Sequence, residues 1–384
     1  MESFPVISAV RSTLRRHRAV AVCTVAAVAA TAAVTASAGS ASAATNNYSA
    51  NINGQWAGIA GSIGGGILGK LVSANLVAGE VDISANSTGL KQVNGAALPA
   101  GVKSAARADL LTGGISIANI KTINTEATAP VTVAHKNVEL VGWHASPLID
   151  ASALAVNSAA AWGNSVTGAG KTGTVASVNG HIANISLLNL GSLLGAFKSL
   201  LPTQLQYPVV SLSTTDLRGQ IKSTLNHDGT HGLVATGAGG LGDVQILGGA
   251  AHGGITLGLF SSDNGTKYVA NAKVWATGKP GGAGCSYTPP KWIEVGIGNN
   301  TIGLPITLGG RITLPAKLGY LEANFTGIDH CSAAANGTSA SVDGAGVGLR
   351  LHLQLPTGLD LADLVVSLPD LNNATVNVPV GGIR

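Results

Sequence analysis

The chain is poor in charge, aromatic rings and sulfur. Charged residues make up 10% of its 384 residues, aromatics 4%, and there are 3 cysteines and 1 methionine. Each scarcity excludes something. Low charge combined with plentiful Val, Ile and Leu excludes a disordered polyelectrolyte. Few rings mean an interior of small aliphatic side chains. Cys23, Cys285 and Cys331 form no C-x-x-C pair, which argues against a thiol redox motif and a zinc site.

Charge is also unevenly placed. Arg11, Arg15, Arg16 and Arg18 precede an uncharged run from Ala19 to about Ala36, followed by Ala41-Ser42-Ala43. That order is the plan of a secretory signal over residues 1–43, cleaved after Ala43 and leaving no transmembrane anchor. Four of the 22 basic residues and one of the 18 acidic residues lie in that segment, so the remainder is nearly neutral. It carries no basic patch for nucleic acid or an anionic lipid surface. Cys23 leaves with the signal, and an exported chain holding only Cys285 and Cys331 is expected to join them.

Glycine is abundant, with 53 residues. Asn-Gly or Asp-Gly stands at Asn53-Gly54, Asn94-Gly95, Asn179-Gly180, Asp228-Gly229, Asn264-Gly265, Asn336-Gly337 and Asp343-Gly344. Such pairs accept the positive φ of tight hairpin turns. Between them the chain alternates as half-buried strands do: Ala270, Ala272, Val274 and Ala276 share one face, and Val347, Leu349, Leu351 and Leu353 oppose Gly348, Arg350, His352 and Gln354. The expected fold is all-β, antiparallel hairpins packed as a sandwich or irregular barrel, with one or two short helices. The clearest helix is NLGSLLGAFKSLLP, with Asn189 as N-cap and Pro202 as stop. SPLIDASALAVNSAAAWG reads as helix or strand. The expected organisation is a Gly/Ala-rich segment over 44–100 and a β-rich domain over 101–384, with a candidate division near 278–290.

SAARADLLTGGISIANIKTINTEATA from Ser104 has partial echoes from Gly180 and Gly239. Each copy has a small/apolar lead-in, a pair such as Leu110-Leu111, Leu187-Leu188 or Ile246-Leu247, a glycine, and a second apolar segment. The expectation is a strand that ends at the glycine bend and returns as its own neighbour. Behind an export signal, this element resembles the choice-of-anchor P family of secreted actinobacterial proteins over about Ser104 to Gly265. The resemblance brings no catalytic residues with it. The C-terminal NVPVGGIR carries no LPxTG-like sorting motif.

Candidate chemistry is sparse. GAGKTG, 168–173, lacks the first glycine of a phosphate loop, because that position is Ser165. His227 and His231 flank Asp228-Gly229, which favours a turn over a helical metal pair. Asp263 and Asn264 open no complete calcium loop. No G-x-S-x-G is present beyond residue 43. WAGIAGSIGGGILGK sets Ile59, Ile63 and Ile67 beside Gly61, Gly65 and Gly69, which reads as a buried strand or bend, or as a membrane-facing or self-association segment. No catalytic residue, metal ligand or cofactor is assigned. Trp143, Trp162, Trp275 and Trp292, with Tyr287 beside Cys285, are candidates for a ligand platform, chiefly Trp292, Trp143 and Tyr287. The expected role is a secreted, non-enzymatic cell-envelope or extracellular structural or adhesive protein, with cell-wall glycan or another copy of itself as partner. The alternatives are a glycan-binding β-sandwich module and, third, an extracellular hydrolase.

Overall fold

The computed structural model describes residues 47–63, 72–115, 118–119, 123–130, 135–145, 149–163, 173–193, 195, 203–260, 267, 269–288, 291–305, 310–314, 317–326, 330–343, 346–354, 357–367 and 370–384. The expected signal sequence, most of GAGKTG, and Asp263-Asn264 lie outside them.

The chain runs in three legs. The first holds β1 (Ser49–Ile63), β2 (Val72–Asn86), the small hairpin β3 (Gln92–Val93) and β4 (Ala96–Ala97), β5 (Ser104–Ile115), β6 (Ala118–Asn119) and β7 (Ile123–Ala129). The second begins with β8 (His135–Ala145), β9 (Ile149–Ala160), β10 (Gly173–Asn189), a helical turn α1 (Leu190–Leu193) and β11 (Pro208–Leu225). It continues with β12 (His231–Leu241), β13 (Val244–Ile246), β14 (Ile255–Phe260), β15 (Val269–Ala276), β16 (Ala283–Thr288), β17 (Trp292–Ile297) and β18 (Asn300–Pro305). The third holds β19 (Gly310–Thr313), β20 (Gly319–Thr326), β21 (His330–Ala333), β22 (Ser339–Asp343), β23 (Gly346–Gln354), β24 (Asp360–Ser367) and β25 (Asp370–Asn377). Among the described residues the fold is all-β, 70% strand and 4% helix, with antiparallel sheets and no closed barrel. No helix among the described residues is long and apolar enough to cross a membrane.

Legs one and three share a 12-stranded sheet, and leg two forms an 11-stranded sheet. Both sheets fork. One edge of β1 pairs with β2, while its other edge is divided between β25 (from Ser49 to Gln55) and β24 (from Gly58 to Ile63). One edge of β11 pairs with β10, and its other edge is divided between β12 and β13. Each fork grows a three-strand arm, β25-β22-β21 or β12-β15-β16, and a four-strand arm, β24-β23-β20-β19 or β13-β14-β17-β18. The two sheets are traversed in opposite senses: the second leg zigzags outward between its arms from β12 to β18, and the third zigzags inward from β19 to β25.

The sheets pack face to face. The long strands β1, β2 and β5 lie against β9 to β12, and the two three-strand arms lie on each other. Their inner faces make one core of Ile52, Ile83, Val178, Ile182, Ile221, Leu233, Val274, Leu351 and Val376, all nearly water-free. Glycine sets the separation. A β-carbon on Gly219 of β11 would lie 2.3 Å from Cδ1 of Ile83 on β2, so a side chain of one sheet fills a notch in the other. Where the chain crosses between sheets, the Thr125 and Ser158 hydroxyls pair at 2.6 Å in the interior.

The covalent link completes the closure. Cys285 on β16 and Cys331 on β21 lie at disulfide distance, with Cα atoms 5.7 Å apart. These strands are the outermost of the two three-strand arms. The chain joins the sheets from β7 to β8 and from β18 to β19, and the cysteine pair joins them at the remaining margin.

Several expectations need correction. Residues 46–384 form one unit, and β1 and β2 occupy the middle of their sheet. For SPLIDASALAVNSAAAWG, which reads as helix or strand, the strand reading holds, as β9. β5 continues through Gly113 and Gly114, which pair with Leu76 and Asn75, so the first glycine pair is not a bend. Asn53-Gly54 and Asn179-Gly180 sit inside β1 and β10, where the glycine is buried at an inward position and the asparagine faces outward. Three of the expected turns and one expected helix cap are present. Asn94-Gly95 turns β3 into β4 with φ of 44° and 73°, and Asp228-Gly229 and Asn336-Gly337 close hairpins. Asn189 caps α1 by accepting the Ser192 N–H at 3.0 Å.

Two stability outcomes follow. Gly219→Ala should cost about 1–3 kcal/mol by overpacking, and Ile83→Val in the same chain should recover part of that loss in denaturant unfolding. Replacing Cys285 and Cys331 by Ser should lower stability by about 2–4 kcal/mol, read from the shift in denaturation midpoint.

Candidate functional site

β12 reads HGLVATGAGGL. Leu233 and Ala235 face the core and are fully buried. The outward positions are Gly232, Val234, Thr236, Ala238 and Gly240, all short. Their neighbours on both sides are long. Register places Ala238 between Arg218 and Asn271, Thr236 between Gln220 and Lys273, and Val234 between Lys222 and Trp275. The outer face of this sheet therefore carries a trough with β12 as floor and β11 and β15 as walls. From Val234 to Gly240 it runs roughly 20 Å, and its walls stand about 10 Å apart, from strand rise and spacing.

The walls are held in place. Gln220 Nε2 donates to Thr174 Oγ1 at 2.7 Å. The Trp275 ring lies flat on Gly284 of β16, where a β-carbon would come within 2.2 Å of it. Lys273 Nζ stands 5.3 Å from the ring centroid. Arg218, Lys222, Asn271 and Lys273 are exposed, whereas Gln220 and Trp275 are half-buried. Among the described residues, no carboxylate reaches Arg218, Lys222 or Lys273 for an ion pair. Asp216, at the far end of the β11 wall, instead meets His181 Nδ1 at 2.7 Å.

At its other end the trough opens into a cavity of about 560 Å³ lined by Thr224, Asn226, His227, Asp228, Thr277 and Lys279. Two turns build it. Asn226 Nδ2 donates to the Thr277 carbonyl at 3.0 Å, tying the β11–β12 turn to the β15–β16 turn. Asp228 accepts from the Thr230 hydroxyl at 2.6 Å and pairs with Lys279. Lys279 first, then Thr230, holds the Asp228 carboxyl well below the usual carboxylate range. The β21–β22 turn closes from behind: Gly278 N–H donates to the Gly337 carbonyl at 2.8 Å, and Gly337, at φ 76°, would put a β-carbon onto the Lys279 carbonyl.

The residues singled out in the sequence take other places. Trp292 opens β17 half-buried between Phe260 and Pro305 on the four-strand arm. Tyr287 on β16 packs against the core. Trp143 pairs with Ala151 at the opposite margin, on β8, and its side chain lies outside the described ones. The structure does not gather these three. His227 is exposed at the turn, whereas His231 is buried and bonded to Ser223 Oγ at 3.1 Å. Among the described residues, no group of three His, Cys, Asp or Glu side chains is arranged to hold a metal. Of the tryptophans, Trp275 is the one on the trough. Arg218, Gln220 and Lys222 read in sequence as an ordinary wet face, and only their register against the short residues of β12 gives them a common ligand space.

A second polar cluster, on the outer face of the other sheet, anchors the β3–β4 hairpin. Asp82 accepts from the Asn94 N–H at 2.8 Å, Asn51 Nδ2 at 2.9 Å and Ser84 Oγ at 3.0 Å. Burial pushes its carboxyl above the ordinary range. Arg107 links Asp109 and Glu126 alongside.

No protein-family model matches the chain, and no curated protein matches it. The trough is lined by amides, hydroxyls and cations, with the Trp275 ring along one wall. The Asp228–Lys279 pair supports the mouth above the ordinary carboxylate pKa and is lost as pH falls through the lowered value. Lys279→Ala should move the Asp228 titration upward toward the ordinary carboxylate range, measured by NMR.

Proposed function

We propose that the protein is a non-enzymatic extracellular adhesive or structural protein that attaches to a linear glycan lying along β12. The single observation that carries this reading is the trough. Its floor is short, its walls are polar, and a half-exposed tryptophan lies flat along one side. Linear sugars present hydroxyls at their edges and C–H groups on their faces, which suits amide walls and a ring face. The export signal, the cysteine pair and the resemblance to secreted actinobacterial proteins support a position outside the cytoplasmic membrane.

A hydrolase is the less favoured reading. Glycoside cleavage generally needs two carboxyl groups flanking the scissile bond. The two carboxylates at the ends of this trough, Asp216 and Asp228, are committed to His181 and Lys279.

Co-sedimentation with purified wall polysaccharide tests the proposal. Trp275→Ala should weaken binding about ten-fold, the size of an interface anchor. Thr236→Trp, which fills the trough, should abolish it, while Trp292→Ala should leave it intact. Equal binding by all three variants would reject the trough as the contact.

A further inference from the structure

We infer that the polymer taken by the trough is an acidic polysaccharide bearing carboxylates on its sugar units. This rests on the glycan reading and narrows it. Three successive rows cross the floor, and each holds one cation. Arg218 stands on the β11 wall opposite Asn271, Lys273 on the β15 wall opposite Gln220, and Lys222 on the β11 wall opposite Trp275. The cations therefore alternate sides at a row spacing of roughly 7 Å, two residues of strand rise. Opposite each stands an amide or a ring.

Alternation selects the ligand. In a ribbon-like polysaccharide with a two-fold screw, successive sugars present their substituents to opposite edges, so carboxylates would meet the two walls in turn. In a phosphodiester polymer the charge lies in the backbone, on the axis. That axis would run over Ala238, Thr236 and Val234, where the Thr236 hydroxyl is the one polar side chain. Side-borne charge matches the walls, and axial charge does not. The three cations are also uncompensated by carboxylates among the described residues, in a chain whose region beyond residue 43 is nearly neutral. The positive field is local to this surface, a patch built by strand pairing that the near-neutral composition does not show, and it would be screened by salt.

Isothermal titration of the full chain with four polymers decides the matter: polymannuronate, its methyl ester, neutral dextran and poly(glycerol phosphate). The expected result is that polymannuronate binds at least about ten-fold tighter than the other three, with affinity falling as ionic strength rises. Arg218→Gln, Lys222→Gln and Lys273→Gln should each lose roughly two- to five-fold, the range for exposed ion pairs. The polymer comparison needs no variant, so a misfolded mutant does not blunt it. Equal binding of the methyl ester or dextran would overturn the carboxylate assignment and leave the glycan reading standing. Equal or tighter binding of poly(glycerol phosphate) would also overturn it. Failure of every polymer to bind, wall polysaccharide included, would remove both.

Discussion

The close approach of the two sheets, seen where Ile83 occupies the space beside Gly219, constrains the rest of the molecule. Strand layers normally stand about 10 Å apart with side chains from both filling the gap. Here part of one layer contributes hydrogen atoms alone: Gly180, Gly219, Gly237 and Gly239 are all buried. The interior is therefore thin and aliphatic. A core of this kind has little room for rings, which is the physical reason that aromatic residues are scarce in the sequence. It also demands area rather than depth, so β10 and β11 reach 17 and 18 residues.

Long strands with a thin core leave wide outer faces, and there the sequence places its Asn, Gln, Thr, Arg and Lys. One row joins Asn137, Asn157, Asn179, Arg218, Ala238 and Asn271 on six neighbouring strands. The trough arises on this face where small residues continue through β12 on both of its sides, inward against the other sheet and outward at Val234, Thr236 and Ala238 between longer neighbours. The inward glycines explain the sandwich. The short outward residues Val234, Thr236 and Ala238 make the floor of the trough.

Much of the architecture could be read from the residues. Alternation located β15 and β23 and their buried faces, and turn chemistry located three hairpins. The limits were also physical. Asn-Gly pairs served equally well as an outward amide followed by an inward notch, as at Asn53-Gly54 and Asn179-Gly180, and nothing local separates that use from a turn. Arg350 belongs to the wet face of its strand, yet it is almost fully covered and held by Asp363 at 2.7 Å. The fork escaped notice because it depends on which distant strand shares an edge. The trough has the same origin, since its facing wall residues lie more than fifty positions apart in the chain, and only pairing through β12 brings Lys222 and Trp275 to either side of Val234.

The order of the three legs has a consequence for how the molecule is made. The second sheet is encoded without interruption, whereas the first is assembled from the two ends of the folding unit, with Ser49 meeting Asn377 across 328 positions. Until β24 and β25 have been synthesised, one whole margin of β1 must wait with its amides and carbonyls unpaired, which is the situation that invites pairing with foreign strands. Such distant pairing also makes folding slow. A chain cut short before residue 360 would thus lose more than its tail, because its earliest strand would never gain a second neighbour.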